Sequence, residues 1–177
     1  PATADAGSTI QVHWDGPGDK RDFISIDSPD LADNRYGDHY SYVEKANPLY
    51  LQMPDEPGDY LIRYHTGQTY KTLAAIPIKV GGVEASLKAD AQLEAGKPFE
   101  VTWKGPNNKR DFITIVPVGT KDRLYDEYGY TARGNPLRIE APTKTGAYEL
   151  RYLTGHRYYT LATLPVEVVP TKQPGKL

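Results

Sequence analysis

Residues 12–26 read Val-His-Trp-Asp-Gly-Pro-Gly-Asp-Lys-Arg-Asp-Phe-Ile-Ser-Ile, and residues 101–115 read Val-Thr-Trp-Lys-Gly-Pro-Asn-Asn-Lys-Arg-Asp-Phe-Ile-Thr-Ile. The likeness continues downstream, as Asn-Pro-Leu at 47–49 and 135–137 and as Gly-x-Tyr-x-x-Arg-Tyr at 58–64 and 146–152. Self-similarity at a fixed period is the signature of repeated structural modules. The sequence therefore predicts a tandem duplication in which the residues shared by both copies maintain the fold.

Length and repeat together indicate the domain organisation. The chain has 177 residues, so each copy has about 80 to 90 residues, the size of a small β-sandwich. We expect a first module at residues 1–81, a second module at residues 82–170, and a tail or linker at residues 171–177. The chain begins at Pro1 without a signal-like segment, so we also expect an excised or processed part of a longer protein.

Composition excludes several classes of function. The formal net charge is -2 at pH 7, so the chain lacks the basic excess that attracts a protein to nucleic-acid phosphates. No apolar run approaches the roughly 20 residues that a membrane-spanning helix requires, and we expect no membrane insertion. Cysteine is absent, which removes disulfides and thiolate chemistry and fits the cytosol or a bacterial cell envelope.

Strand signals dominate both copies. The first copy has short segments rich in β-branched and aromatic residues at 9–14, 23–26, 49–53, 60–64 and 76–80, and each has a counterpart in the second copy. Turns rich in Gly and Pro separate these segments, and no amphipathic helical repeat is present. The sequence predicts an all-β protein of two tandem immunoglobulin-like antiparallel β-sandwich modules.

Two pairs of aromatic residues recur in both copies and are predicted to be structural. Tyr60 and Tyr148 each stand two residues after a glycine. They resemble the tyrosine corner of immunoglobulin-like folds, in which the hydroxyl binds a nearby backbone group. Trp14 and Trp103, one in each copy, are expected to lie in the core between two sheets, because aromatic rings supply much of the burial in small modules.

An acidic residue precedes the same strand in each copy. Asp22 and Asp111 stand in an identical Lys-Arg-Asp-Phe-Ile context. A pair of catalytic carboxylates would require a second acid at a set separation, and none recurs in both copies. We therefore expect each Asp to cap a turn or to form a salt bridge, with Arg63 and Arg151 as candidate partners.

Tyrosine is unusually frequent, with 14 residues against three phenylalanines. It combines a large, rigid ring with a hydrogen-bonding tip, which enriches it at protein interfaces and on sugar-binding faces. Rings on an exposed strand also pack against their neighbours, so a purely structural role is the alternative. The candidate binding residues are Tyr36, Tyr40, Tyr42 and Tyr70 in the first copy and Tyr125, Tyr128, Tyr130 and Tyr158 in the second.

Motifs of catalytic, phosphate-binding and metal sites are absent from the sequence. It has no Gly-x-Ser-x-Gly elbow and no phosphate-binding loop, and its four histidines lack metal-binding spacing. The acidic segment 27–34 lacks the order of an EF-hand, and we interpret it as a solvated loop. We predict no catalytic residue, metal or cofactor. An enzymatic alternative would have to be confined to one copy, around His39 or the 27–33 loop.

The recurring motifs together resemble a known family. They are Trp-x-Gly-Pro-x-x-x-x-Asp-Phe-Ile-x-Ile, then Asn-Pro-Leu, Gly-x-Tyr-x-x-Arg-Tyr-x-Thr-Gly and Thr-Leu-Ala-x-x-Pro. This pattern resembles immunoglobulin-like β-sandwich repeats of bacterial envelope proteins, which often accompany a von Willebrand factor A domain. Trp-x-Gly with Asp-Phe-Ile alone is also similar to accessory domains of some phosphoesterases. The resemblance implies a periplasmic or extracellular spacer and protein-interaction module without catalytic residues.

Two functions compete on the sequence alone. The leading hypothesis is a non-catalytic module that presents a tyrosine-rich face to another protein, or to a neighbouring domain of the same parent chain. The alternative is a carbohydrate-binding module accessory to an enzyme or adhesin, with a glycan as its partner. In that alternative Asn47 and Asn135 would add amide groups to the tyrosine rings.

Overall fold

The protein is all-β, as the sequence predicts. The computed structural model describes residues 1–171, so the predicted tail lies outside the described residues apart from its first position. Backbone contacts divide the chain into two compact units, unit 1 spanning Pro1–Gly82 and unit 2 beginning at Val83. Each unit has two sheets with a hydrophobic core of its own, and the predicted class of two immunoglobulin-like sandwich modules is confirmed.

Unit 1 contains two sheets of unequal size. Its strands are β1 (Thr3–Asp5), β2 (Thr9–Val12), β3 (Phe23–Asp27), β4 (Tyr40–Tyr42), β5 (Leu49–Gln52), β6 (Gly58–His65) and β7 (Thr72–Gly81). The larger sheet has the order β1-β7-β6-β3-β4, and the smaller one pairs β2 with β5.

Unit 2 repeats this plan with one additional strand. Its strands are β8 (Ser86–Lys88), β9 (Gln92–Glu94), β10 (Pro98–Lys104), β11 (Phe112–Pro117), β12 (Tyr128–Tyr130), β13 (Leu137–Glu140), β14 (Gly146–Leu153) and β15 (Thr160–Val169). The larger sheet has the order β12-β11-β14-β15-β9, and the smaller has the order β13-β10-β8. Strand β8 precedes Asp90, the residue equivalent to Pro1, so the sequence contains no positions equivalent to it.

Helix is confined to short 3₁₀ segments in the described part of the chain. These are Val43–Lys45 in unit 1 and Thr131–Arg133 in unit 2. Neither they nor any other helix within residues 1–171 is long and apolar enough to cross a membrane.

The core of each unit lies between its two sheets. In unit 1, Ile24 and Ile62 of the larger sheet belong to the same buried cluster as Val12 and Leu51 of the smaller sheet. Unit 2 has the same arrangement, with equivalent residues Ile113, Leu150, Val101 and Ile139. Alternation at period two directs these side chains inward, which is why the strand pattern is readable in the sequence.

The sheets differ from the predicted ones in pairing and in strand length. They are mixed, because β1 pairs parallel with β7 and β9 pairs parallel with β15. Strands β1 and β4 have three residues each, too few to display an alternation in the sequence. Strand β2 ends at Val12, although the apolar pattern continues to residue 14.

The outer face of the larger sheet carries a second buried layer. Every residue of β3 is buried. Ile24 and Ile26 join the core, so alternation directs Phe23, Ser25 and Asp27 to the opposite face. The 28–39 loop contacts that face, since the Gly37 amide donates to Asp27 Oδ1. The candidate tyrosines lie over this layer.

Candidate functional site

In unit 1 the candidate tyrosines surround Phe23, which is buried on the outer face of the sheet. Strands β3 and β4 pair with Phe23 opposite Tyr42 and Ser25 opposite Tyr40. This pairing positions the rings of Tyr40 and Tyr42 beside Phe23. The ring centroids lie 4.6 Å (Tyr36), 5.8 Å (Tyr40), 6.3 Å (Tyr42) and 6.1 Å (Tyr70) from that of Phe23. We call Tyr36, Tyr40, Tyr42 and Tyr70 tyrosine surface 1.

Unit 2 repeats the cluster around Phe112. The ring centroids lie 5.1 Å (Tyr125), 5.4 Å (Tyr128), 6.4 Å (Tyr130) and 5.5 Å (Tyr158) from that of Phe112. These four tyrosines, which we call tyrosine surface 2, line a shallow pocket of about 170 Å³ together with Arg110 and Gly155. The structure thus brings the eight predicted tyrosines together as two equivalent sets of four.

The tyrosine rings are packed and yet partly exposed. Tyr36, Tyr40, Tyr70, Tyr125 and Tyr128 are between 37% and 45% exposed, whereas Phe23 and Phe112 below them are almost fully buried. Neighbouring rings meet edge to face, as between Tyr36 and Tyr40 at 5.2 Å and an interplanar angle of 78°. This geometry is favourable for aromatic pairs and holds the rings in place.

The pKa values of Tyr36, Tyr125 and Tyr128 are raised above the ordinary value for tyrosine. Burial, followed by the neighbouring hydroxyls of Tyr70, Tyr40 and Tyr42, raises the pKa of Tyr36. In unit 2 the proximity of Tyr158 raises the pKa of Tyr125, and a hydrogen bond with Tyr130 raises that of Tyr128. The hydroxyls of Tyr36, Tyr125 and Tyr128 therefore keep their protons at physiological pH and can donate hydrogen bonds.

One tyrosine of each surface has a left-handed backbone. Tyr70 has φ 58° and Tyr158 has φ 57°. In unit 1 the turn is closed by the Thr66 amide, which donates to the Lys71 carbonyl oxygen, and by the Tyr70 amide, which donates to Thr66. A bulky side chain in this region costs on the order of 1 kcal/mol relative to glycine. Both units nevertheless carry tyrosine at this position.

Arg63 and Arg151 hold the loops that carry Tyr36 and Tyr125. Arg63 Nη1 donates to the Leu31 carbonyl oxygen at 2.9 Å, and Arg151 Nη1 donates to that of Lys121 at 2.9 Å. Arg151 also pairs with Glu149. The salt bridges to Asp22 and Asp111 suggested by the sequence are therefore not the observed contacts. Arg63 pairs with Ser25 across the strands, so its guanidinium lies on the outer face of the sheet. Asp22 instead contacts Tyr64, whose ring faces the core.

Asp22 and Asp111 each hold a turn and a tyrosine. Asp22 Oδ2 accepts from the Tyr64 hydroxyl at 2.9 Å and from the Asp19 amide at 3.1 Å, and Oδ1 accepts from the Gly67 amide at 2.8 Å. Asp111 makes the same contacts with the Tyr152 hydroxyl and with the amides of Asn108 and Gly155. We call each set the aspartate clasp. It joins the Gly-Pro loop to the turn that carries Tyr70 or Tyr158.

The tryptophans are half-buried at the border of each core, a correction to the expected central position. Trp14 packs on Tyr64 with ring centroids 5.9 Å apart, and its Nε1 donates to the Ala46 carbonyl oxygen at 3.1 Å. Trp103 packs on Tyr152 at the same centroid distance, and its Nε1 donates to the Gly134 carbonyl oxygen at 3.0 Å. The indole N–H needs an acceptor, and the nearest backbone acceptors lie at the border of the core.

The exposed residues Asn47 and Asn135 bind the backbone of the tryptophans. Asn47 Nδ2 donates to the Trp14 carbonyl oxygen at 2.8 Å, and its Oδ1 accepts from the Trp14 amide. Asn135 binds the backbone of Trp103 in the same manner. Each asparagine side chain thus makes the pair of hydrogen bonds to the tryptophan backbone that a neighbouring strand would otherwise make. Both polar atoms of its amide group are used in these bonds.

Tyr60 and Tyr148 have the geometry of tyrosine corners. The Tyr60 hydroxyl donates to the Glu56 carbonyl oxygen at 3.0 Å, and the Tyr148 hydroxyl donates to that of Lys144 at 2.9 Å. In both units the acceptor lies four residues upstream of the tyrosine. The hydroxyl therefore links the first residues of β6 or β14 to the turn that precedes the strand.

Unit 1 also contains a buried polar network that the sequence did not indicate. Ser25 Oγ donates to Asp27 Oδ2 and lies 2.9 Å from His65 Nε2, and His65 Nδ1 lies 3.1 Å from the Tyr70 carbonyl oxygen. In a catalytic triad the serine and the carboxylate contact opposite nitrogens of the histidine and the serine is accessible, whereas here Ser25 and Asp27 both lie on the Nε2 side of His65, at 2.9 Å and 3.8 Å. Ser25 and His65 are 0% exposed, so this serine cannot reach a substrate. The network instead supports Phe23, on which His65 stacks at 4.8 Å.

Asp27 is expected to make unit 1 sensitive to acid. Burial alone would raise the pKa of Asp27, but His65, Ser25 and the Gly37 amide hold it below the ordinary value of 3.8. A carboxyl with a lowered pKa in the folded state stabilises that state above the unfolded pKa and loses this contribution as pH falls through the folded pKa. The difference in unfolding free energy between the wild type and Asp27→Asn should therefore be largest near neutrality and shrink below about pH 4.

Chemical denaturation of both proteins between pH 3 and pH 7 measures this difference. The equivalent residue in unit 2 is Val116, so Val116→Ala serves as a matched variant whose effect should not depend on pH. A difference for Asp27→Asn that stays constant over this range would contradict the assignment.

His39 and the 27–33 loop, around which the sequence placed the enzymatic alternative, are not part of either tyrosine surface. His39 is buried, and its carbonyl oxygen accepts from the Ile26 amide. Within residues 1–171, no three His, Cys, Asp or Glu side chains are grouped so that they could hold a metal ion. The 27–33 loop is held by Arg63 through its carbonyl oxygens.

Comparisons with known proteins return only distant structural similarity. Models of known protein families do not match the chain, and neither do curated proteins. The D0-D1 domain of intimin is 14% identical over 94% of both chains, with a TM-score of 0.30. The adhesin InvE of Yersinia pseudotuberculosis is 14% identical, with a TM-score of 0.34, over 95% of this chain and 56% of that one. The D00-D0 domain of intimin is 11% identical over 95% of both, with a TM-score of 0.27. Similarity at this level carries no argument about function.

Proposed function

We propose that the chain is a non-catalytic spacer and protein-interaction module that presents tyrosine surfaces 1 and 2 to another protein or to a neighbouring domain. The observation that carries the proposal is the repeated cluster of half-exposed rings over a buried phenylalanine. Aromatic side chains left partly exposed in one contiguous patch are typical of interfaces. A purely structural cover for Phe23 and Phe112 would not require hydroxyl groups on every ring.

The backbone at Tyr70 and Tyr158 supports the same proposal. Residues in left-handed conformation are usually Gly or Asn, because a side chain there strains the backbone. Both units keep a tyrosine instead. Strained residues concentrate at binding sites, where the surrounding fold stabilises them.

The charges around the surfaces indicate the chemistry of the partner. Lys45 Nζ lies 5.8 Å from the centre of the Tyr42 ring, and the Arg133 guanidinium carbon lies 5.8 Å from that of Tyr130. Arg110 lines the pocket of surface 2. Neutral phenols and cations both donate hydrogen bonds, so a partner surface rich in carbonyl and carboxylate oxygens fits best.

The proposal includes a location outside the cytoplasm, in the bacterial envelope. The sequence motifs shared with envelope repeats and the absence of cysteine are compatible with this location. A von Willebrand factor A domain is the proposed neighbour in the parent chain, because the same repeats often accompany one.

A carbohydrate-binding role receives less support. The side-chain amides of Asn47 and Asn135 already bind the tryptophan backbone, so a glycan would have to compete with these hydrogen bonds. Neighbouring tyrosine rings meet edge to face, so they do not form one continuous flat platform of coplanar rings. A glycan array probed with the whole chain separates the two proposals, and saturable binding to one glycan class would favour the alternative.

Alanine substitutions on the tyrosine surfaces test the protein-interaction proposal. Peptides selected from a phage-displayed library on the wild-type chain provide a defined probe. We expect the double variants Tyr36→Ala/Tyr125→Ala and Tyr40→Ala/Tyr128→Ala to weaken peptide binding at least about 10-fold, because central aromatic residues dominate interface energies. Binding is measured by isothermal titration calorimetry, and unfolding of each variant by differential scanning calorimetry.

Tyr50→Ala is the matched control, since Tyr50 is 63% exposed but lies on β5 of the smaller sheet. It should leave peptide binding unchanged. If the surface variants bind as the wild type does and differ only in thermal stability, the rings are structural and the proposal fails.

A further inference from the structure

Each tyrosine surface ends at an edge strand of its sheet. Strand β4 is the last strand of the larger sheet in unit 1, and β12 is the last strand of the larger sheet in unit 2. Tyr40 and Tyr42 lie on β4, and Tyr128 and Tyr130 lie on β12. Because both units have this edge at equivalent positions, it is a property of the shared fold.

The pairing of β12 with β11 determines which backbone groups point outward. The Thr131 amide donates to the Asp111 carbonyl oxygen. Hydrogen-bonded pairs alternate with non-hydrogen-bonded pairs along an antiparallel ladder, so the next pair, Phe112 with Tyr130, is of the second kind. The backbone groups of Tyr130, and of Tyr128 two residues earlier, are therefore directed away from β11.

Three backbone groups of β12 are open to a further strand. They are the amide and the carbonyl oxygen of Tyr128 and the amide of Tyr130, and no hydrogen bond within residues 1–171 engages them. The Tyr130 carbonyl oxygen is different, because Tyr130 is the N-cap of the 3₁₀ segment Thr131–Arg133 and its oxygen accepts the first bond of that segment. The outer edge of tyrosine surface 2 thus offers two donors and one acceptor.

The charges differ between the two ends of β12. Arg133 follows the strand, and its guanidinium carbon lies 5.8 Å from the centre of the Tyr130 ring. Arg110 lines the pocket of surface 2 together with Tyr130. Asp126 and Glu127 precede the strand. The edge is therefore basic at its end and acidic at its start.

We infer that the free edge of β12 binds an extended segment of a partner protein by antiparallel strand addition, with an Asp or Glu opposite Tyr130 and an aromatic residue opposite Tyr128. In strand addition the backbone hydrogen bonds provide affinity and alternate side chains provide specificity. Residues directly opposite each other place their side chains on the same face, so both residues of the segment would contact tyrosine surface 2. The inference rests on the proposed function and specifies how the partner is held.

The surroundings of each position define the segment. Arg133 and Arg110 lie near Tyr130, and opposite charges across a strand pair are favourable. An aromatic side chain opposite Tyr128 could meet that ring edge to face, as Tyr125 does at a centroid distance of 5.4 Å. An antiparallel segment runs from the end of β12 to its start, so it reads acid–x–aromatic in its own direction.

Unit 1 has the same edge with a weaker basic charge. Strand β4 has outward-facing backbone groups at Tyr40 and Tyr42 by the same alternation. Lys45 lies over the Tyr42 ring, but Glu44 stands where unit 2 has Ala132. We therefore expect the acidic segment to bind β12 more tightly than β4.

Hydrogen exchange of the whole chain, followed by NMR, tests the inference. The probe is the acetylated peptide Thr-Glu-Val-Tyr-Val-Lys, in which Glu would lie opposite Tyr130 and Tyr opposite Tyr128. We expect exchange of the Tyr128 and Tyr130 amides to slow at least about 10-fold at saturating peptide, because hydrogen-bonded amides must open before they exchange. The Thr131 amide, which already donates to Asp111, is the internal control. The same peptide with Lys in place of Glu should protect both amides less.

Methylated peptides distinguish strand addition from contact with the rings alone. In the bound segment the amide of the residue opposite Tyr128 faces β12, and the amide of the residue opposite Gly129 faces away. We expect N-methylation of the peptide's Tyr to weaken binding at least about 10-fold, because it removes a hydrogen bond and places a methyl group against the strand. N-methylation of the preceding Val is the matched control and should change binding little. Isothermal titration calorimetry measures both.

The charge of the edge is tested in the protein itself. Arg133→Glu should weaken binding of the acidic peptide at least about 5-fold, because it places like charges together. Arg138→Glu is the matched control, since Arg138 is an exposed arginine on β13 of the smaller sheet. Equal effects of the two variants would contradict the assigned position of the acid.

The outcomes separate this inference from the proposed function. Peptides selected from the phage-displayed library are measured in the same way, so the result does not depend on the affinity of one designed sequence. If peptides bind and lose affinity in the alanine variants of the tyrosine surfaces, yet leave the Tyr128 and Tyr130 amides unprotected, the inference is overturned and the proposed function stands. If no peptide binds, both fail. Protection that appears without peptide and increases with protein concentration would assign the edge to a second copy of this chain, which also overturns the inference.

Discussion

The Asp22→Ala substitution is expected to lower the unfolding free energy of unit 1 by about 3 kcal/mol or more. Asp22 is 2% exposed and accepts three hydrogen bonds, from the Tyr64 hydroxyl and from the Asp19 and Gly67 amides. Removing the acceptor leaves these donors unsatisfied, and each buried donor without a partner costs about 1–3 kcal/mol. Because small domains are stable by only about 5–15 kcal/mol, this is a large fraction of the total.

Fluorescence of Trp14 measures this effect, since the indole packs on Tyr64. In a Trp103→Phe background the signal arises from unit 1 alone, because the chain has two tryptophans. Asp30→Ala is the matched control, as Asp30 is an exposed carboxylate of the same unit. If Asp22→Ala costs no more than Asp30→Ala in guanidinium unfolding, the aspartate clasp does not stabilise the fold as we describe.

The Gly67→Ala substitution is expected to destabilise unit 1 by about 2–3 kcal/mol. A Cβ at this position would lie 2.4 Å from the carbonyl carbon of Arg21 and 2.7 Å from its oxygen. These are backbone atoms, so relief requires the chain itself to move. The movement would also pull the Gly67 amide away from Asp22 Oδ1. A fall of about 10 °C or more in the thermal midpoint should accompany the substitution.

Two further substitutions test whether the close approach to the Arg21 backbone causes the loss of stability in Gly67→Ala. Gly155→Ala should have a similar effect in unit 2, where the Cβ would lie 2.3 Å from the Lys109 carbonyl oxygen. Gly82→Ala should be nearly neutral, because its nearest contact would be 3.6 Å from a Pro57 side-chain carbon. Equal effects of Gly67→Ala and Gly82→Ala would show that the close approach to Arg21 is not responsible.

Strand positions and the grouping of the tyrosines were predictable because both depend on local patterns. The alternation in residues 23–26 and 60–64 identifies β3 and β6, and the duplication confirms each assignment with a second example. Tyr40 and Tyr42 are adjacent in such a pattern, so their common location could be anticipated. A local pattern also predicted the tyrosine corner at Tyr60, because the glycine two residues earlier is part of the tyrosine-corner motif.

The partners of the recurring polar residues could not be predicted. Asp22 and Tyr64 are 42 residues apart and Arg63 and Leu31 are 32 apart, and nothing in a local pattern links such positions. The sequence suggested Arg63 for Asp22 because opposite charges recur in both copies. In the structure the two side chains lie on opposite faces of the sheet, and each finds a different partner. A recurring Asp together with a recurring Tyr was the signal that could have identified the clasp.

The amino-acid sequence by itself determined the duplicated β-sandwich plan and identified the eight tyrosines as candidate binding residues. Period-two alternation, turn residues and internal repetition are local or periodic features, so they can be recognised without knowledge of the tertiary contacts. Only the tertiary structure decided that Phe23 and Phe112 lie at the centre of the tyrosine surfaces and that the side chains of Asn47 and Asn135 bind the tryptophan backbone. These features depend on contacts between residues distant in sequence, which form only when the sheets pack and bury their polar groups.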